Sequence, residues 1–244
     1  RSYSADETIE ICRQVMQLVK SGVLSPCRSP WSSGLVITKK SGGGLRMCVD
    51  LRAINRKTLH VASQLPLIPD VIHESFTEGD RLFAHLDMSQ AYHQLVVAPA
   101  SRPYLAFKLP RVTAAQCKEL GFAPPFQVTW NRVPFGLSDA VTSFSNVTMN
   151  TFQPAGFAPY LDDLGFGAEG AEVLTRKLWE VFQLAARAGV SFGTKCQLYQ
   201  VAITFLGYRI DASGVALDPE RVRALVEMKN PTSVSELRTF LGMV

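Results

Sequence analysis

The stretch Phe157-Ala-Pro-Tyr-Leu-Asp-Asp-Leu-Gly-Phe-Gly167 places two adjacent aspartates, Asp162 and Asp163, between two short apolar segments. Apolar segments on both sides of a short polar pair predict two strands joined by a tight turn. Neighbouring carboxylates disfavour each other's ionisation unless a cation lies beside them. A divalent metal ion is the simplest such cation, and Mg²⁺ prefers carboxylate oxygens. The alternative is a solvated turn that binds nothing.

A third carboxylate is expected from another strand, because consecutive side chains of a strand point to opposite faces. Residues 81–86 have the composition of a strand, and Asp87 follows directly after them. The sequence therefore indicates a metal site built from Asp87, Asp162 and Asp163.

Composition limits the class of protein. The chain has 244 residues, of which 47% are hydrophobic and 19% are charged, which excludes a disordered or low-complexity protein. Its five cysteines are widely spaced and form no C-x-x-C pair, so neither a disulfide framework nor a zinc site is indicated, and a reducing compartment is expected. The sequence has neither a membrane-length apolar run nor a signal peptide, so we expect an intracellular protein without a membrane partner.

The positive charge is concentrated near the beginning of the chain. Residues 1–60 contain ten basic and four acidic side chains, whereas the remaining residues contain fifteen and seventeen. The chain begins with Arg1 and stops inside an apolar run, so we interpret it as a segment of something larger.

Periodicity and capping residues predict a mixture of helices and strands. Ser4 and Glu7 form a capping box for a helix that extends to residue 20. Asp218 before Pro219, and Ser233 with Glu236, predict two more helix starts near the C-terminus. The order of the elements favours an α+β fold over a repeating βαβ array.

Several blocks of sequence, in order, resemble the reverse transcriptases of Gypsy-type long-terminal-repeat retrotransposons and, more distantly, of retroviruses. The resemblance begins near residue 6 and extends to the end of the chain. The blocks are Ser29-Pro-Trp-Ser-Ser33, Arg46-Met-Cys-Val-Asp50 with Arg52 and Asn55, Leu86-Asp-Met-Ser-Gln-Ala-Tyr-His-Gln94, Val133-Pro-Phe-Gly-Leu137, Tyr160-Leu-Asp-Asp163, Lys195-Cys196, Phe205-Leu-Gly207 and Glu236-Leu-Arg-Thr-Phe-Leu-Gly242.

The resemblance implies a right-hand polymerase fold, with fingers and a palm that contain antiparallel sheet, and the start of a thumb. The N-terminal helix and fingers would occupy residues 1–78, the palm with the remaining fingers segment residues 79–207, and a truncated thumb residues 208–244. Residues 109–125 are longer than the family's usual turn. They are interpreted as an insertion with a short helix near residues 114–120, or as translated intervening sequence.

The implied reaction is transfer of a deoxynucleotide from a dNTP to a primer 3′ hydroxyl, directed by an RNA or DNA template. Two Mg²⁺ ions, with Mn²⁺ as a substitute, would be held by Asp87 and Asp162, and more weakly by Asp163. The partners implied are template, primer and dNTP, within a polyprotein that also carries ribonuclease H and integrase.

The resemblance also assigns residues to the nucleotide and the primer. Arg46 and one of Lys39 or Lys40 would clamp the triphosphate, although a solvated hairpin is the alternative. Asp50 and Arg52 share a predicted strand face with Arg46, and a structural ion pair is the alternative for them.

Four further assignments follow from the resemblance. Tyr92 is similar to the family's steric gate against the 2′ hydroxyl, and Phe135 with Gly136 would pack against the nucleotide, Gly136 allowing close backbone approach. Lys195 resembles the lysine proposed to protonate pyrophosphate. Phe205, Leu206 and Gly207 resemble the primer grip.

Two departures from the family pattern affect the expected activity. Val141 stands where a proline is common, and the strand after the aspartates is rich in glycine, which we expect to loosen the palm. An inactive or domesticated nucleic-acid-binding relative is therefore the alternative to an active polymerase.

Overall fold

The computed structural model describes residues 3–39, 44–59, 65–228 and 230–242. The helices are α1 (Ala5–Lys20), α2 (Arg52–Asn55), α3 (Ile68–Ser75), α4 (Ala114–Leu120), α5 (Ala140–Phe152), α6 (Ala171–Ala188), α7 (Pro219–Val226) and α8 (Val234–Leu241). The strands are β1 (Leu24–Pro26), β2 (Gly34–Lys39), β3 (Leu45–Asp50), β4 (Leu82–Asp87), β5 (Phe107–Lys108), β6 (Gln127–Trp130), β7 (Pro159–Tyr160), β8 (Asp163–Ala168), β9 (Gln197–Gln200), β10 (Ala202–Phe205), β11 (Tyr208–Asp211) and β12 (Gly214–Leu217). Short 3₁₀ helices cover Ala91–Gln94, Arg102–Leu105 and Gln153–Ala155.

The chain divides into two compact units. The first unit comprises residues 1–64 and 90–146, and the second comprises residues 65–89 and 147–244. Both units mix helices with antiparallel strands, so the predicted α+β class is confirmed.

The first unit contains a sheet in the order β1-β6-β5 and a separate hairpin of β2 and β3. Helix α1 buries one face against this unit, since its hydrophobic residues recur at helical spacing. The buried core of the unit consists of Ile11, Cys12, Val15, Leu24, Leu35, Leu51, Val97, Leu105, Phe107, Leu109, Val128 and Trp130.

The second unit contains an antiparallel sheet in the order β7-β8-β4-β9 and a meander of β10, β11 and β12. Helix α6 packs on β4 and β8, and buries Leu174, Leu178, Val181 and Ala185. A buried cluster in this unit consists of Val71, Ile72, Phe76, Phe83, Ala158, Ile203, Phe205 and Ile210.

The predicted helix starts are confirmed in detail. The Ser4 hydroxyl accepts from the Glu7 amide while the Glu7 carboxylate accepts from the Ser4 amide, which completes the capping box of α1. Ser233 caps α8, and the Glu236 carboxylate also accepts from the amide and the hydroxyl of Thr232.

Residues 114–120 form the short helix α4, which is capped at both ends. Thr113 and Gln116 form a capping box at its start, and Gly121 ends it with a left-handed φ of 74°. Val112 and Leu120 pack against the first unit's core. The predicted helix at residues 114–120 is therefore present, and it is held by both end caps and core contacts.

The glycines of β8 make room for large neighbours. A Cβ atom on Gly165 would lie 2.9 Å from the rings of Phe76 and Phe205, and one on Gly167 would overlap the Asp80 carboxylate. The buried residues Phe76, Phe205 and Asp80 thus occupy the space that longer side chains would take in a more aliphatic strand. The expectation that these glycines loosen this part of the chain is not supported, because the space is filled.

The hairpin at the aspartates differs from the prediction in one respect. Tyr160 pairs with Asp163, so the loop consists of Leu161 and Asp162 alone, and Asp163 is the first residue of β8. Leu161 adopts a φ of 56°, because two-residue hairpin loops need left-handed backbone to match the twist of the strands. The two aspartates therefore differ in position: one lies in the loop and the other in the strand.

Among the described residues, no helix is both long and apolar enough to cross a membrane. The five cysteines are free thiols.

Candidate active site

Asp87 and Asp163 lie directly opposite each other at the end of the β4–β8 pair. Residues in such a position have their Cβ atoms about 4.5–5.5 Å apart, and like charges there are destabilising. The Met88 amide donates to the Asp162 carbonyl at 2.8 Å, which ties the hairpin loop to the end of β4. The sequence prediction that a carboxylate from another strand meets the Asp-Asp pair is therefore consistent with the strand register.

Asp162 is partly buried at this strand end. Burial raises the pKa of the Asp162 carboxyl above its ordinary value, the negative charges of Asp163 and Asp87 raise it further, and a hydrogen bond to its own backbone offsets part of the effect. The direction of the shift means that the metal-free environment disfavours the ionised form. A cation at this position would remove that penalty.

Asp163 and His85 share a hydrogen bond. The distance between His85 Nε2 and Asp163 Oδ1 is 2.8 Å, and the two side chains are 20% and 31% exposed. His85 lies two residues before Asp87 on β4 and opposite Gly165, so Asp163 is its diagonal neighbour across the strands. The His85 ring also contacts Phe205 edge-on, at 5.4 Å between ring centroids.

The loop between α6 and β9 holds the backbone of Asp87 from both sides. The Gly193 amide donates to the Asp87 carbonyl at 2.7 Å, and Cys196 Sγ accepts from the Asp87 amide at 3.4 Å. A Cβ atom on Gly193 would lie 3.1 Å from Asp87 Oδ2, so a larger residue there would crowd the carboxylate. Lys195 lies in the same loop and is exposed.

The side chains as placed do not form a complete metal cage: within the ranges that the structure describes, no three His, Cys, Asp or Glu side chains are grouped so that they could hold a metal ion. The donor set nevertheless fits Mg²⁺, since it consists of carboxylate oxygens. Burial and two like charges raise the pKa of Asp162, and a cation held by these carboxylates would offset that effect.

The predicted primer grip falls on the turn between β10 and β11. Phe205 is fully buried, in contact with Phe76 and His85. Leu206 and Gly207 form the turn with φ values of 50° and 83°, and a Cβ atom on Gly207 would lie 2.6 Å from Arg221 Nη1. Only the turn residues of this triplet reach the surface.

The predicted nucleotide-contacting aromatic residues meet within the first unit. The Tyr92 ring packs edge-on against Phe135 at 5.2 Å and Phe144 at 6.1 Å between centroids. Phe135 is 55% exposed. Gly136 has a φ of 88° and open space around its Cα, and its carbonyl accepts from Asn55 Nδ2 at 2.9 Å. The positive φ is a conformation that favours glycine, and the predicted close approach to the nucleotide stays a prediction.

The predicted phosphate clamp is described only in part. Arg46 is exposed on β3 and pairs with Thr38 of β2. The backbone of Lys39 ends β2, and Lys40 lies outside the described residues. Arg52 begins α2 instead of continuing the face of β3, and it forms a two-pronged ion pair with Asp50 at 2.7 and 2.8 Å. The structural ion pair is thus the alternative that the geometry supports for Asp50.

A cavity of about 930 Å³ opens in the first unit. Arg52, Arg56 and Lys57 line it together with the exposed aromatic pair Trp31 and Tyr104, whose ring centroids are 5.3 Å apart. Cations beside exposed aromatic rings suit a strand with phosphates and unpaired bases.

Sequence reasoning missed His85, Gly193 and this cavity. His85 had a readable signal, because side chains two residues apart on a strand share a face, and Asp87 was already a candidate. Gly193 gave no such signal: its importance depends on a contact between a loop and a strand that are distant in sequence. The cavity likewise combines segments of the first unit that the sequence separates.

The class of this domain is defined by comparison with known protein families. The family model described as reverse transcriptase (RNA-dependent DNA polymerase) matches residues 37–210. The chain belongs to this family.

Relatives come from retroviruses and retrotransposons. The Gag-Pol polyprotein of baboon endogenous virus (strain M7) is 28% identical over 248 residues, covering 98% of this chain and 14% of the relative. The retrovirus-related Pol polyprotein from transposon opus of Drosophila melanogaster is 28% identical over 244 residues, covering 96% of this chain and 23% of the relative. The chain thus spans less than a quarter of the length of these two relatives.

Solved structures share the fold. The foamy viral protease-reverse transcriptase dRH in complex with double-stranded DNA matches 100% of this chain and 41% of its own, with a TM-score of 0.80 and 22% identity. The foamy viral protease-reverse transcriptase in complex with an RNA/DNA hybrid matches 100% of this chain and 31% of its own, with a TM-score of 0.78 and 21% identity. The fold is that of a right-hand polymerase.

Proposed function

We propose that this domain catalyses template-directed transfer of deoxynucleotides from dNTPs to a primer 3′ hydroxyl. The observation that carries the proposal is the strand end where Asp87 opposes Asp163 and where Asp162, one residue earlier, is partly buried with a raised pKa caused by burial and by those two charges. Family membership and the relatives named above support the same activity.

Asp87, Asp162 and Asp163 would hold the metal ions, with Mg²⁺ as the expected ion and Mn²⁺ as a substitute. Two bound divalent ions would activate the attacking hydroxyl and stabilise the leaving oxygen. The chain's contribution is to bring carboxylates from β4 and the β7–β8 hairpin together, and to fix the Asp87 backbone through Gly193 and Cys196.

Nucleotide and primer contacts are assigned by the resemblance. We infer that Arg46 and Lys39 or Lys40 bind the triphosphate, that Tyr92 excludes the 2′ hydroxyl, and that Phe135 and Gly136 pack on the nucleotide. The edge contacts of Tyr92 with Phe135 and Phe144 support the gate role, because a rigid ring excludes an atom better than a mobile one.

Three further roles belong to the same proposal. Lys195, exposed in the loop before β9, would protonate the departing pyrophosphate. The Leu206–Gly207 turn would support the primer end, with Phe205 as its buried anchor. The cavity beside Trp31, Tyr104 and Arg52 would hold single-stranded template.

The predicted division into fingers (1–78), palm (79–207) and truncated thumb (208–244) stays a proposal, as does the insertion at 109–125. The compact units divide at other points, since residues 79–89 belong to the second unit and residues 90–146 to the first. A polyprotein that also carries ribonuclease H and integrase is proposed from the polyprotein relatives.

Primer extension on RNA and DNA templates with Mg²⁺ or Mn²⁺ tests the proposal. The natural chain should extend the primer, Asp162→Asn should lose metal-dependent extension, and the exposed α3 aspartate variant Asp70→Asn should retain it. Extension that survives Asp162→Asn would contradict the site. A folded chain that binds primer–template but extends nothing would favour the inactive relative.

A further inference from the structure

His85 is a side chain that the proposed reaction does not yet use. It lies on β4 on the same face as Asp87, and its Nε2 atom is 2.8 Å from Asp163 Oδ1. A carboxylate oxygen accepts in such a contact when an imidazole N–H donates, so His85 Nε2 is suited to hold Asp163 Oδ1. The contact therefore fixes the orientation of the carboxylate relative to the His85 ring.

The His85 ring is itself held in place. It contacts the fully buried Phe205 edge-on at 5.4 Å between centroids, and Phe205 packs in turn against Phe76. Gly165, opposite His85 on β8, leaves the space that these rings fill. A donor supported by buried aromatic packing has little freedom to leave its acceptor.

We propose that His85 is a positioning residue for Asp163. The hydrogen bond engages Oδ1, so Oδ2 is the oxygen without this contact that Asp163 would present to a cation. The inference rests on the proposed metal site. It also gives a role to the histidine that lies beside Asp163. Partners that orient a ligand in this way typically change metal affinity by about 10- to 100-fold when they are removed.

Direct Mn²⁺ binding to the metal-free chain tests the role without depending on catalysis. The free Mn²⁺ signal in electron paramagnetic resonance gives the dissociation constant of the natural chain, His85→Leu, His85→Gln and His85→Asn. His85→Leu should weaken binding about tenfold. His85→Gln, whose amide nitrogen replaces Nε2, should restore most of it, whereas the shorter His85→Asn should not.

Two further variants separate positioning from general damage. His73→Leu, an exposed histidine of α3, should bind Mn²⁺ like the natural chain. In an Asp163→Asn background, His85→Leu should cause no additional loss, because a residue that acts through Asp163 has nothing left to position. Thermal unfolding in EDTA verifies that each variant is folded.

The outcomes distinguish this role from the proposed function. Equal Mn²⁺ affinity of the natural chain and His85→Leu, failure of His85→Gln to restore binding, or an undiminished loss in the Asp163→Asn background would each overturn the positioning role. His85-dependent Mn²⁺ binding by a chain that extends no primer would contradict the polymerase proposal and leave the role of His85 standing.

Discussion

The Tyr92 ring packs edge-on against Phe135 and Phe144, and its proposed role as a steric gate can be tested by substitution. If Tyr92 is the proposed gate, Tyr92→Ala should lower discrimination against ribonucleotides by at least about tenfold, since removing the ring opens space for a 2′ hydroxyl. Tyr92→Phe keeps the ring and should discriminate as the natural chain does. The measurement is kcat/KM for dNTP and rNTP incorporation, and unchanged discrimination in Tyr92→Ala would remove the gate role.

The pKa of the Asp162 carboxyl is raised, so the ionised form that would bind a metal ion is also the form that the fold disfavours. When a folded-state pKa lies above the unfolded value, the group's contribution to stability is present at low pH and is lost as pH rises through the folded-state pKa. Without metal, Asp162→Asn should therefore raise the Tm at about pH 8 and give no such gain at about pH 3, below the ordinary pKa of aspartate.

Thermal melts in EDTA at the two pH values measure this effect. Adding Mg²⁺ should raise the Tm of the natural chain more than that of Asp162→Asn, because only the natural chain keeps the full set of carboxylates. A variant that is less stable than the natural chain at both pH values would show that Asp162 is not under electrostatic strain.

Strand β8 contains two glycines, Gly165 and Gly167, whose neighbours leave no room for a side chain. Gly165→Ala and Gly167→Ala should each destabilise the chain by about 1–3 kcal/mol, because each added Cβ overlaps a buried neighbour. Gly34→Ala is the matched control, since the space around Gly34 is open, and it should change stability by under about 0.5 kcal/mol. Urea unfolding measures all three, and equal effects at positions 34 and 165 would contradict the packing described here.

Elements with local signals were predictable from sequence, and those that depend on distant contacts were not. The capping box at Ser4 and the helix at residues 114–120 follow from side chains within one turn, so the sequence specified them. Asp163 is a strand residue because the hairpin loop has only two residues, Leu161 and Asp162. Local sequence signals did not determine that loop length. The sequence predicted that Gly165 would loosen the chain, because the aromatic residues that fill the space beside it come from segments distant in sequence.

The candidate site shows the same division. Asp87 and Asp162 could be predicted as metal ligands because each follows an apolar segment with strand character, and family motifs surround them. The His85–Asp163 hydrogen bond required the strand register, which sequence does not give. Phe205 was assigned to the primer from its motif, while its burial emerged only from packing.

At the scale of the whole molecule, charge is unevenly distributed along the chain. Residues 1–60 carry ten basic and four acidic side chains, and three of these cations, Arg52, Arg56 and Lys57, line the cavity of the first unit. If they contact phosphates, binding of single-stranded template should weaken with salt, by a slope of about 0.7 per phosphate on a log–log plot.

Arg56→Gln combined with Lys57→Gln should reduce that slope by about 1.4, because two phosphate contacts are removed. Arg13→Gln is the control, since Arg13 pairs with Glu10 on α1 and does not line the cavity. Fluorescence anisotropy with a primer–template bearing a single-stranded overhang gives the slopes. An unchanged slope in the double variant would exclude this cavity as a template contact.

The interlocking of Gly165 with Phe76 and Phe205 also constrains how this chain can evolve. An aliphatic residue at position 165 is acceptable only after the facing rings have become smaller, whereas smaller rings beside the glycine leave a void. A larger residue at position 165 alone, or smaller rings alone, is therefore deleterious. Substitutions at these three positions must be strongly epistatic, and lineages that differ at one of them should differ at the others as well.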